Sequence, residues 1–171
     1  MKETHIIKSE EKIAQWGDGE WVNEPDLCVW EYRECKCIIR RMMAYESDGQ
    51  LSLGQLNGYV KVPEGHPWHG KNCFDEIDVD VHQGLSFGKF NDFGEYIIGF
   101  DCAHSGDIIP SMNSLFAEKK AQKLQFLKDL DEDMKKKYPN CSLFNPIYRN
   151  IAFVKAECES LVDQMLAVKV K

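Results

Sequence analysis

Long apolar runs are missing from this chain of 171 residues. The longest span only a few positions, whereas a membrane-crossing helix needs about 20. The amino end, MKETHIIKSEEK, is charged where a secretory signal carries an apolar core, so neither export nor membrane insertion is expected. Positive charge is scarce as well. Against 28 acidic residues stand 21 basic ones, for a formal net charge of -7, and Lys135 to Lys137 form the sole basic cluster. A nonspecific grip on duplex DNA or RNA needs the opposite balance. Cysteine is present but lacks the spacing that would give it a metal. The seven cysteines, at 28, 35, 37, 73, 102, 141 and 158, include no pair at the two-residue spacing of a zinc knuckle. They read as reduced thiols in a cytoplasmic protein. Also missing are a glycine-rich phosphate loop, a His-Glu-x-x-His helix and a Gly-x-Ser-x-Gly elbow, so the familiar enzyme classes are not signalled.

The length suits a single domain over residues 1–171. Ser9 to Trp16 reads as a short amphipathic helix capped by Ser9 and stopped at Gly17. A β-rich middle follows, with strands expected at Leu27 to Tyr32, Cys37 to Tyr45, Gly58 to Val62, Ile77 to His82 and Tyr96 to Asp101. Turn signals separate them, and short links imply antiparallel pairing. From Asn113 to Lys137 the apolar spacing turns helical and ends at Tyr138-Pro139-Asn140. A last helix is expected to be capped by Asn145, with Pro146 at its first position and an apolar stripe of Ile151, Val154, Cys158, Leu161, Met165 and Val168. That stripe either packs on the sheet or forms a homo-oligomer seam. The expected fold is α+β: a mainly antiparallel sheet of about five strands, two C-terminal helices on one face and a short N-terminal helix.

Between Gly65 and Asp107 lie four of the five histidines, His66, His69, His82 and His104, each near a turn. In Ile77-Asp78-Val79-Asp80-Val81-His82 a strand would bury the aliphatics and show Asp78, Asp80 and His82 on the other face. Tyr96 to Phe100 is apolar on both faces and carries Asp101 into a turn with His104, Ser105, Gly106 and Asp107. Asp107, beside Gly106, is equally well a turn residue bonding its own backbone. Cys102 is the thiol placed to be a nucleophile, but acidic neighbours raise a thiol's pKa. His66, Trp68 and Lys71 form an aromatic, basic loop suited to a planar, phosphate-bearing ligand. Asp80, His82, Asp101 and His104 could instead gather a divalent metal.

Taken in order, WVNEPD (from Trp21), GYVKVPEGHPWHGK (from Gly58), DVDVHQGLSFG (from Asp78), IGFDCAHSGD (from Ile98) and YRNIAFVKAECESLVDQ (from Tyr148) resemble a family of short phage and prophage proteins without an assigned activity. The resemblance implies a phage-type setting in the host cytoplasm and a shared site, with Gln83-Gly84 where the family has two glycines. It also brings in Arg149, which could hold an anion near the start of the last helix. The expected ligand-binding set is His66, Trp68, Lys71, Asp80, His82, Asp101, His104 and Arg149. The leading expectation is capture of a small nucleotide-derived ligand, such as a host immune signal. A metal-dependent hydrolase of phosphodiesters or nucleotides is the alternative, and a protein-binding inhibitor acting through the last helix the third.

Overall fold

The computed structural model describes residues 1–112, 136 and 146–168. The fold is α+β, built on a six-stranded antiparallel sheet of order β1-β2-β3-β4-β6-β5. The strands are β1 (Lys2–Thr4), β2 (Leu27–Tyr32), β3 (Cys35–Tyr45), β4 (Leu51–Val62), β5 (Phe87–Phe90) and β6 (Tyr96–Asp101). Among the described residues the sheet is accompanied by helices α1 (Ser9–Trp16) and α2 (Ile151–Ala167) and a 3-10 turn at Glu20–Val22.

Alternation decides which side of the sheet is covered. Cys37 and Ile39 on β3, Leu56, Val60 and Val62 on β4, and Ile98 and Phe100 on β6 are buried in one cluster with Val154, Cys158, Leu161 and Met165 of α2. The helix can come this close because β4 carries Gly58 at the contact. A Cβ there would stand 2.5 Å from Phe100 and 2.7 Å from Cys158 Sγ. The stripe on α2 is thus consumed by the sheet and is not left as a dimer seam or as the surface of an inhibitor. Leu161 is fully buried, so Leu161→Ala should cost about 2–5 kcal/mol in chemical denaturation.

A second, smaller cluster joins Trp16 of α1 to Ile7, Trp21, Val22, Leu51 and Tyr148. Beside it runs a buried ionic network. Asp26 Oδ1 pairs with Lys12 Nζ at 2.7 Å and with Arg41 Nε at 2.8 Å, all three side chains being wholly inaccessible. Arg41 Nη1 donates to the Tyr148 hydroxyl at 2.9 Å, and that hydroxyl donates to Glu24 at 2.6 Å. These bonds fasten the chain just ahead of α2 to the sheet.

Several expectations need correcting. Ile77 to His82 is not a strand: it has no ladder partner, although Ile77 and Val81 still turn inward and Asp78 and Asp80 outward. Side-chain alternation survives there without sheet pairing because the apolar positions pack on the cluster beneath α2. Strands β1 and β5 were not anticipated, and β4 begins seven residues earlier, at Leu51 rather than Gly58. Ser9 does not cap α1: its hydroxyl donates to the Val22 carbonyl, and Lys8 stands at the cap position. Gly17 does end α1, at φ 74°, where a side chain would be strained. Helix α2 starts at Ile151 with Asn150 as cap, its side chain accepting from the Phe153 N–H at 3.0 Å. Pro146 therefore precedes the helix, Asn145 lies outside the described residues, and so does the helix expected from Asn113 to Lys137 apart from Lys136.

Candidate functional site

Strand β6 ends at Asp101 and the chain turns sharply through Gly106, at φ 94°, so that Asp107 folds back beside His104. The turn is closed by the Asp107 N–H donating to the His104 carbonyl, while the His104 N–H donates to Asp107 Oδ2 at 3.1 Å. Asp107 is thus both the turn residue expected of it and the centre of a polar cluster. Its side chain is fully buried. His82 arrives from the segment between β4 and β5, held by its backbone N–H donating to Glu157 of α2 at 2.8 Å. Its Nε2–H donates to Asp107 Oδ2 at 2.8 Å. The His82 and His104 rings meet edge to face at 5.6 Å between centroids. His104 Nδ1 lies 3.8 Å from Asp107 Oδ2 and 3.7 Å from Asp101 Oδ1. Arg149 Nε donates to the other Asp107 oxygen, Oδ1, at 2.8 Å, and its guanidinium lies over Phe153 at 4.7 Å.

Burial alone would raise the Asp107 carboxyl, but hydrogen bonds from His82, Arg149 and the His104 backbone outweigh it and hold it below the ordinary value of 3.8. A depressed carboxyl stabilises the fold above its unfolded value and loses that contribution as pH falls through its folded one. Asp107→Asn should therefore be less stable than the parent at neutral pH, and the difference should shrink in urea titrations as pH falls below the ordinary carboxyl value. Burial, with Asp107 and Asp101 adding to it, pushes the Cys102 thiol far up. Cys102 is a packing residue beneath the site and no nucleophile.

One atom in the cluster is unaccounted for. His104 Nδ1 is buried and, among the described residues, has no hydrogen-bond partner. An unmet buried polar atom costs about 1–3 kcal/mol. His82, His104 and Asp107 each offer one ligand atom, all within 4.8 Å of one another. Donor atoms on a tetrahedral zinc stand about 3.3 Å apart. The 2.8 Å and 3.8 Å separations seen here bracket that spacing.

The other expected site residues are placed elsewhere. Asp80 points to solvent, and its backbone is clasped at both ends by the Gln164 amide, so the structure substitutes Asp107 for Asp80 beside the histidines. His66 is a clip. Its Nε2 meets the Met165 carbonyl at 2.9 Å and its Nδ1 accepts from the Trp68 N–H at 3.1 Å. Trp68 is 7% exposed, a core residue and not an open stacking platform. Lys71 pairs with Glu76 at 2.9 Å on the surface. His69 packs edge-on against Phe90 and Tyr96 and borders a separate cleft of about 660 Å³ at the opposite end of β6, also lined by Lys36, Lys61 and Glu95. Both lysines are already turned to Glu95. His66, Trp68 and Lys71 therefore do not join His82, Asp101, His104 and Arg149 in one site. Glu157 is not singled out by the sequence, and Asp107, read there as equally a turn residue, is left out of the expected binding set. Asp107 carried a usable signal, its i,i+3 spacing from His104 in a glycine turn; Glu157 carried none, being one of several acids on a helix.

No family model matches the chain, and no solved structure matches it. Two curated proteins do, in part. Mitochondrial inner membrane protease subunit 2 of Mus musculus is 38% identical over 72 residues, which is 42% of this chain and 35% of that protein. Its counterpart in Danio rerio is 38% identical over 72 residues, 42% of this chain and 34% of that protein. The chain thus spans about a third of the length of the curated relatives it matches. The expectation that the chain captures a nucleotide-derived ligand is overturned by this match, since the proteins named are subunits of a protease; the resemblance to phage proteins is neither supported nor contradicted by it. Among the described residues no helix is long and apolar enough to cross a membrane.

Proposed function

We propose that the chain is a metal-binding protein that holds one divalent ion of the zinc class between His82 Nε2, His104 Nδ1 and Asp107 Oδ2. The observation that carries this reading is the buried, partnerless Nδ1 of His104 facing a carboxylate oxygen that His82 already touches. Two imidazoles and one carboxylate are a zinc-type donor set, and three protein ligands leave a fourth position open. Arg149 and the His104 N–H orient the carboxylate from outside, as supporting residues around metal ligands do. To bind through Nε2, His82 must carry its ring proton on Nδ1 and give up the hydrogen bond it now donates to Asp107, and protons compete with the ion for the same nitrogen and carboxylate as pH falls.

The test is titration of chelator-treated protein with zinc or cobalt. One equivalent should bind, with cobalt showing the strong visible absorption of a four-coordinate ion. His104→Ala and Asp107→Asn should each weaken binding by more than about a hundredfold. Absence of stoichiometric uptake, or uptake indifferent to His104→Ala, would remove the reading.

The 72-residue identity favours a second reading, cleavage of a peptide bond. The His82–Asp107 pair is the arrangement that orients a proton-accepting imidazole, yet among the described residues no Ser, Thr or Cys side chain hydrogen-bonds to His82. Incubation with an unfolded protein such as reduced casein decides it: new fragments that vanish in His82→Ala support cleavage, and intact casein rejects it.

A further inference from the structure

We infer, resting on the metal reading above, that the ligand taken by this site carries a carboxylate, held between the bound metal and the outer edge of the Arg149 guanidinium. Arg149 spends only Nε on Asp107. Among the described residues its two Nη groups have no partner, although the side chain is already fixed by Asp107 at one edge and by the Phe153 ring beneath. A guanidinium locked in this way has lost its conformational freedom before any ligand arrives, and it is still 23% exposed. The same Phe153 ring lies edge-on to His82 at 5.3 Å, so the free fork and the metal ligand share one apolar support.

The local charges choose the class of anion. A dication and Arg149 stand against Asp101 and Asp107, leaving one unit of positive charge, and Glu157 behind His82 tempers even that. With so little positive charge left, one negative charge is the most the site takes, and the two of a phosphate at neutral pH would overfill it. A carboxylate also matches the planar, two-donor edge of the guanidinium.

The experiment uses cobalt-loaded protein titrated with acetate and, separately, with inorganic phosphate, followed by the cobalt spectrum. Acetate should shift the spectrum saturably, and Arg149→Gln should raise the acetate concentration needed by about tenfold or more, with Arg149→Lys between the two. Cobalt affinity is measured for each variant first, since both substitutions also touch Asp107, and circular dichroism confirms folding. An acetate response equal in parent and Arg149→Gln overturns the inference and leaves the metal reading intact. So does a phosphate response stronger than the acetate one. Failure of the parent protein to take up cobalt overturns both.

Discussion

Asp26→Ala should be the most damaging single substitution outside the hydrophobic core, costing about 3–5 kcal/mol or preventing folding altogether. The carboxylate is the hub for four donors: the Ile6 and Ile7 N–H groups on Oδ2, and Lys12 and Arg41 on Oδ1. Burial pushes its pKa up, but the Ile7, Lys12 and Ile6 bonds more than cancel that and the carboxyl ends below its ordinary value. Removing it leaves two cations with no exposure to water, Arg41 with only Glu24 at 3.2 Å as counter-charge and Lys12 with only the Glu24 carbonyl at 2.6 Å. Lys12 already titrates lower than usual because burial outweighs its partners. Replacing Lys12, Asp26 and Arg41 together with apolar residues of like volume should be far milder, because most of the penalty comes from leaving charges unpaired. Urea midpoints of the single and triple variants measure the difference, and an Asp26→Ala midpoint within error of the parent would show that water reaches the network.

Trp16→Ala should follow closely, at about 3–5 kcal/mol. The indole is fully buried and its Nε1–H donates to the Leu51 carbonyl at 2.7 Å, so the substitution opens a cavity and also orphans an acceptor at the start of β4. Because Trp16 sits in the smaller cluster, the loss should appear in thermal unfolding while the cobalt uptake proposed above, read on the folded protein, is unchanged. A large fall in both would mean that the two clusters communicate through Tyr148.

Legibility in the sequence followed the strength of local pattern. The stripe from Val154 to Met165 recurs at helical spacing and packs where that spacing points. Gly17 could be read from its freedom to take positive φ, and the strands Leu27–Tyr32 and Tyr96–Asp101 from their runs of apolar, aromatic and β-branched residues. Ile77 to His82 misled because inward and outward alternation is a property of any extended chain on a core, while a strand also needs a partner ladder. The start of α2 misled because Asn145-Pro146 and Asn150 are both plausible caps, and the choice falls to Glu24, which accepts the Ile151 N–H at 2.8 Å from across the fold. His82 and His104 come together through turns and a helix contact far apart in sequence. The burial of Asp107 and the pairing of Lys12 with Asp26 are set by the same long-range packing, which no local spacing encodes.

The sheet order has a consequence for synthesis. Among the described residues every strand is complete by Asp101, so the sheet, including the long-range pairing of β4 with β6, can form while the rest is still being made. Its inner face, with Ile39, Val60 and Phe100, has to wait for Ile151–Ala167 to be covered. Until then a ribosome-bound nascent chain presents a broad apolar sheet surface, the kind of surface that chaperones bind and that aggregates when they do not. His82, His104 and Asp107 are all synthesised before that point, whereas Arg149 and Glu157, which fix Asp107 and His82 from outside, arrive with the covering helix. The site therefore acquires its final geometry in the same step that buries the sheet, and a chain stalled short of α2 would have the donor atoms without the frame that aims them.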